Sequence, residues 1–144
     1  MRWGLILQYN GKNYCGWQRQ KTDVPTVQGV LCKCFSNVLQ EEIIVYGCGR
    51  TDTGVHAKNY VAYFDSSNLK ADMTDWLLWK INAYLPFDIR INHIVKVAED
   101  FNARFDAISR TYRYYIATKK QPFNTEFAWF VPQKLDIKKM NTAA

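Results

Sequence analysis

The chain has 144 residues, 48% hydrophobic and 15% aromatic, enough to bury roughly 68–70% of its unfolded surface, which excludes a disordered chain and fits one globular domain. A net charge of +6 and a pI of about 9.2 suit a polyanionic partner, without separating nucleic acid from general solubility. No apolar leader and no run of about 18 apolar residues occurs, so a membrane span is excluded and a soluble, cytoplasmic protein is expected.

Residues 3–9 are rich in aromatic and aliphatic side chains and stop at Asn10-Gly11, which predicts a strand ending in a turn. After a loop over 12–24, Val27, Val30, Leu31, Phe35, Val38 and Leu39 recur at helical spacing, with the helix starting near Pro25 or Thr26. Residues 43–48 and 59–64 predict a second and a third strand. Trp76, Leu77, Leu78, Trp79 and Ile81 mark a helix over 72–84, which Leu85-Pro86 terminates. The alternating run 89–97 predicts a fourth strand. The order β-α-β-β-α-β predicts an α+β, ferredoxin-like domain, an antiparallel sheet with its helices on one face. Extra C-terminal strands are expected at 110–118 and 126–131. Residues 135–140 begin like a helix and the chain stops at Asn141-Thr142-Ala143-Ala144, which reads as a cut near a helix start in a longer protein.

The cysteines, Cys15, Cys32, Cys34 and Cys48, form no C-x-x-C pair, and Cys32 and Cys34 point in different directions on the predicted helix. No metal site is expected, and reduced, partly buried thiols of a cytoplasmic protein are.

Residues 49–54, Gly-Arg-Thr-Asp-Thr-Gly, run on into Val55-His56 and set one carboxylate, Asp52, beside Arg50 on a glycine-bounded bend after an apolar strand. A carboxylate kept ionised by a guanidinium can attack an electrophile or accept a proton. The same residues also read as a plain glycine turn between strands. Arg50, Thr51 and His56 crowding the bend favour a pocket. Asp52-Thr53-Gly54 is the tripeptide of aspartic proteases, but those enzymes need two such carboxylates sharing a proton, and Arg50 opposes sharing. Gly47-x-Gly49 lacks the third glycine that opens a helix in dinucleotide loops.

Tyr112-Arg113-Tyr114-Tyr115 follows Arg110. In a strand, Tyr112 and Tyr114 share one face while Arg113 and Tyr115 share the other, so rings can stack bases and arginines hold phosphates. Core packing is a more natural reading for Tyr114 and Tyr115 than for Tyr112. Two further stretches combine polar and aromatic residues. In Tyr14-Cys15-Gly16-Trp17-Gln18-Arg19-Gln20, Trp17 also reads as a hydrophobic lid. In residues 101–107, Arg104 stands beside Phe105 and within reach of Asp100 or Asp106 for an ion pair. A noncatalytic module that only stacks RNA bases is the alternative to an enzyme.

Tyr9-Asn10-Gly11 with Gly16-Trp17-Gln18, then Val27-Gln28, the 49–56 stretch, Asn82-Ala83-Tyr84-Leu85-Pro86, Phe101-Asn102-Ala103-Arg104-Phe105 and Arg110-Thr111-Tyr112-Arg113-Tyr114 together resemble the motif series of the tRNA pseudouridine synthase A family, in that family's order. The resemblance implies conversion of uridine to pseudouridine in the tRNA anticodon stem-loop, at positions 38 to 40, without cofactor or metal. It implies Asp52 as the catalytic nucleophile or base, Tyr112 as the contact to the target uracil, and Arg50 as an aid in displacing the base. Whether the aspartate attacks sugar or ring or abstracts a proton stays open. Arg19, Lys21, Arg104, Arg110 and Arg113, within or beside these motifs, are further expected RNA contacts. Asn10 stands where the family usually has aspartate, Asn102 where it often has histidine, and Thr53 where alanine is commoner. The chain is about half the length of a typical member. The resemblance therefore implies that residues 1–144 are an N-terminal half, inactive alone, and that the full-length protein is a homodimer.

Overall fold

In the computed structural model, which describes residues 1–124 and 126–143, β1 (Arg2–Tyr9) is the central strand of a first compact unit, Met1–Ile108. Trp3, Leu5, Leu7 and Tyr9 alternate along it and are all buried, as expected of side chains that share one face of a strand. Strand β1 pairs antiparallel with β3 (Ala57–Asp65) on one side and β4 (Ile89–Lys96) on the other, and β2 (Tyr46–Gly47) adds antiparallel to β3. The resulting order, β2-β3-β1-β4, is that of the split βαβ arrangement expected from the sequence.

Two helices supply the other half of the core. Helix α1 (Val27–Leu39) starts at Thr26, whose hydroxyl accepts from the Gly29 N–H at 3.2 Å, and stops at Gln40 in the left-handed region. Helix α2 (Thr74–Tyr84) follows a 3₁₀ turn over Ala71–Met73, and its last turn closes when the Leu85 N–H donates to Ile81 ahead of Pro86. Val27, Leu31 and Phe35 of α1 and Leu77 and Ile81 of α2 join Trp3, Leu5, Leu7, Phe64 and Ile91 in one buried cluster, with the Phe35 and Phe64 rings 4.8 Å apart. Each large side chain buried there stabilises the unit by about 1.5–3 kcal/mol.

The expected second strand over 43–48 is reduced to Tyr46–Gly47. Its first half lies along α1, where helix side chains satisfy the backbone in place of a strand partner. The Ile43 N–H donates to the Ser36 hydroxyl at 2.8 Å, the Val45 N–H to the Cys32 sulfur at 3.3 Å, and the Val45 carbonyl accepts from the Gln28 amide at 2.8 Å. Strand β3 carries a register shift against β1 near Asn59, which has a φ of 52°, just after the loop that bears Asp52.

The second unit, Ser109–Ala144, is small. Strands β5 (Ile116–Ala117) and β6 (Trp129–Phe130) pair in parallel through Trp129 N–H to Tyr115 O at 2.8 Å and Val131 N–H to Ala117 O at 2.9 Å. They are the extra strands expected at 110–118 and 126–131, each shortened to two residues. Helix α3 (Ile137–Ala143) is capped by Asp136, whose carboxylate accepts from the Lys139 N–H at 3.1 Å. Among the described residues no helix is long and apolar enough to cross a membrane.

Candidate active site

Asp52 lies on the loop between β2 and β3, and the loop's backbone is tied down on both sides of it. Upstream, the Thr51 carbonyl accepts from the Trp17 N–H at 3.0 Å, and the Thr51 hydroxyl is 2.9 Å from the Tyr9 phenol. Downstream, the Gly54 N–H donates to the Tyr14 carbonyl at 3.2 Å, and the Val55 N–H closes a turn on the Asp52 carbonyl, also at 3.2 Å. Two residues later the His56 Nδ1 accepts from the Gly11 N–H at 3.1 Å, which places its lone pair, not a proton, on that nitrogen. At the loop's start Tyr60 donates to the Gly49 carbonyl.

Apart from the Val55–Asp52 turn, which lies within the loop, these ties reach back to the segment 9–17 or across to β3, and the sequence explains why. Gly16 has a φ of +83°, and a Cβ there would overlap the Thr51 carbonyl. Only glycine lets the two loops approach so closely. Trp17, 1% exposed, forms the floor, with its ring 4.3 Å from that of Tyr60 and 6.1 Å from that of Tyr9. Gln28, on the first turn of α1, is buried and makes three hydrogen bonds through its side chain. Its amide nitrogen donates to Val45 O, while its amide oxygen accepts from Gln18 Nε2 at 2.7 Å and from the Arg19 N–H at 2.8 Å. One side chain thus joins the 16–19 loop to the approach to β2.

Burial pushes the Tyr9 phenol up to about 12, only partly offset by its bond to Thr51. Burial also raises the phenols of Tyr60 and of Tyr14, the latter reinforced by its 2.6 Å bond to Asp88. At neutral pH all three are protonated, so they hold the loop as hydrogen-bonding groups. The Asp52 and Arg50 side chains are both exposed, and no hydrogen bond or ion pair joins them. The expected pairing is absent for a physical reason: two solvated charges gain little from an exposed bridge. A fixed backbone with a projecting carboxylate is suited to act as nucleophile or base, because no reorganisation is needed to aim it. Among the described residues no group of three or more His, Cys, Asp or Glu side chains is placed to hold a metal ion.

Residues 5–106, which contain this loop and every group that ties it, match the family described as tRNA pseudouridine synthase. The chain belongs to that family. It is 43% identical over 99% of its length to a protein of Parabacteroides distasonis named tRNA pseudouridine synthase A, covering 56% of that protein. It is 49% identical over 83% of its length to the Colwellia psychrerythraea protein of the same name, covering 45% of it, and 41% identical over 99% of its length to that of Pseudothermotoga lettingae, covering 58%. The chain spans about half the length of the curated relatives it matches.

The motifs that carry the pseudouridine synthase resemblance divide by what they do in the fold. Tyr9-Asn10-Gly11, Gly16-Trp17-Gln18 and Val27-Gln28 build the seat of the Asp52 loop. Asn82 instead fastens α2 to the outer edge of β4, with its amide donating to Ile91 O at 2.9 Å and accepting from the Ile91 N–H at 2.9 Å. Asn102 closes a turn, its Oδ1 accepting from the Arg104 N–H at 3.0 Å and the Phe105 N–H at 3.3 Å. Asn10 likewise accepts from the Lys12 N–H at 3.1 Å. At both positions asparagine supplies the acceptor that the turn needs, so these two departures from the family's usual residues leave the local fold intact.

Asp52, Arg50, Arg19 and Lys21 lie on exposed parts of neighbouring loops of the first unit, and Arg104 on the turn over 101–106, its guanidinium 5.7 Å from the Phe105 ring centre. Tyr112, Arg110 and Arg113 belong to the second unit. The stretch 111–115 is in no strand or helix, and Tyr112, Tyr114 and Tyr115 are 67%, 89% and 58% exposed, so the core-packing reading of Tyr114 and Tyr115 does not hold. The residues that sequence reasoning passed over are Tyr9, Thr51, Tyr60 and Gln28 in their supporting roles. Polar groups of buried side chains at Tyr9, Tyr60 and Gln28, and the half-buried Thr51 hydroxyl that Tyr9 meets, were their signal, visible only once burial is known.

Proposed function

We propose that this chain is the N-terminal, aspartate-bearing part of a tRNA pseudouridine synthase A. The enzyme isomerises uridine to pseudouridine in the tRNA anticodon stem-loop, at positions 38 to 40. It works without cofactor or metal, in the cytoplasm, as a homodimer. The observation that carries this reading is the exposed carboxylate of Asp52 on a loop whose backbone is held at Thr51, Gly54 and Val55. In the reaction the bond from the ribose C1′ to N1 breaks, the uracil turns, a bond from C1′ to C5 forms, and the C5 proton leaves as N1 gains one. Asp52 is the nucleophile or base of that sequence. Tyr112 contacts the uracil, and a stacked base is worth about 1–3 kcal/mol. Arg50 helps displace the base from its stack, which costs a few kcal/mol. Arg19, Lys21, Arg104, Arg110 and Arg113 hold phosphates. Release of tritium from tRNA carrying 5-tritiated uridine measures the reaction. In the full-length protein Asp52→Ala should bind tRNA and release none, and appreciable release would refute the role of Asp52. Residues 1–144 alone should not turn over tRNA.

A further inference from the structure

Thr51, the residue before Asp52, is held at two independent points: its carbonyl by the Trp17 N–H at 3.0 Å and its hydroxyl by the Tyr9 phenol at 2.9 Å. The first tie fixes the peptide. The second fixes the side chain, and with it the rotation of Thr51 that leads into Asp52. The Tyr9 ring already has its packing partners in Trp17 and Tyr60, with centroids 6.1 and 5.6 Å away, so its hydroxyl adds nothing to the apolar contact. Burying that hydroxyl costs free energy that the bond to Thr51 offsets. A phenylalanine would fill the same space without the cost. A loop that only had to turn the chain between β2 and β3 would gain nothing from the arrangement.

We propose that the Tyr9 and Thr51 hydroxyls form a positioning pair that aims the Asp52 carboxylate at its substrate. The role rests on the reading of Asp52 as the reacting carboxylate. A positioning role requires of Tyr9 and Thr51 no contact with the reacting atoms or the RNA. They act through the backbone of Asp52, so their loss should appear in turnover and not in tRNA affinity.

The test uses the full-length protein with Tyr9→Phe, Thr51→Val, Thr51→Ser and, as a reference, Asp52→Ala. Tritium release supplies kcat and KM, filter binding supplies the Kd for unmodified tRNA, and thermal unfolding supplies Tm. Misaiming a catalytic group by about 1 Å costs up to about 100-fold, so Tyr9→Phe and Thr51→Val should each lower kcat by about 10- to 100-fold. KM and the tRNA Kd should stay near the wild-type values, and Thr51→Ser, which keeps the hydroxyl, should recover most of the kcat lost in Thr51→Val. The proposal is overturned if Tyr9→Phe turns over like wild type, if Thr51→Ser is as impaired as Thr51→Val, or if kcat falls only in step with Tm. If Asp52→Ala keeps turnover, the reading of Asp52 fails first. If Asp52→Ala is inactive while Tyr9→Phe is unimpaired, only the positioning pair fails.

Discussion

Asp52 and Tyr112 are both exposed, but the chain holds them in opposite ways. Around Asp52 the backbone of Thr51, Gly54 and Val55 is bonded, and Trp17, Tyr9 and Tyr60 fill the space beneath. Around Tyr112, residues 111–114 belong to no strand or helix, and among the described residues the first backbone partner of the stretch is at Tyr115, where the carbonyl accepts from Trp129. The difference teaches that exposure does not by itself make a presented residue. A side chain is presented when the backbone beneath it has no freedom left, and within this chain that condition is met for the aspartate.

Substitutions can break or sharpen that contrast. The largest effect on stability is expected from Trp17→Ala, which empties a nearly fully buried site under the loop; about 3–5 kcal/mol should be lost in urea unfolding. A loss below about 0.5 kcal/mol, the level of an ordinary surface change, would show that the floor does not support the loop. Gly16→Ala forces a side chain into a left-handed position against the Thr51 carbonyl, at a cost of about 1–3 kcal/mol. It should also depress turnover of the full-length protein more than its change in Tm explains. Gln28→Leu leaves the Val45 carbonyl and the Arg19 N–H without their partner, with an expected loss of about 1–3 kcal/mol by thermal unfolding.

A smaller, pH-dependent effect is expected at Glu41, away from both regions. Partial burial works to raise its pKa, but bonds from the Ser67 N–H, the Ser66 hydroxyl, the Asn68 N–H and the Ser67 hydroxyl together hold it below the ordinary carboxylate value. A lowered native pKa means that the unfolded chain takes up the proton first. The stabilisation is therefore present above about 4.5 and is lost as pH falls through the lower native value. Glu41→Gln should flatten that acid-side decline, and an unchanged pH profile would rule the knot out as a contributor. Tyr112→Ala should have the smallest effect on stability, within about 0.5 kcal/mol. A larger loss would mean that Tyr112 is packed, and the contrast with Asp52 would close.

Much of the fold could be read from local pattern. The apolar spacing from Val27 to Leu39 and the breaker Leu85-Pro86 placed both helices to within a few residues, because periodicity and stop signals are properties of neighbouring residues. The second strand was overdrawn. Ile43-Ile44-Val45 looks like a strand in any window, but its hydrogen bonds go to Ser36, Cys32 and Gln28 of a helix, and no local pattern reports a side-chain partner. The strand over 110–118 was overdrawn in the same way, since β-rich composition shows that a segment can pair without showing that it does. At the site, the Gly-Arg-Thr-Asp-Thr-Gly bend was legible and the Arg50–Asp52 pairing read into it was not there, because adjacency in sequence says nothing about where two solvated side chains go.

By itself the sequence determined the order of elements, the apolar faces, and a lone carboxylate on a glycine-bounded bend, all of which are written in residues close together along the chain. Only the tertiary structure decided that Tyr9 and Thr51, 42 residues apart, meet hydroxyl to hydroxyl, and that the missing side chain of Gly16 is the space into which the Thr51 carbonyl fits. Those contacts join segments brought together by burying a shared core. The free energy that selects them is summed over the whole unit, so no stretch of sequence carries them alone.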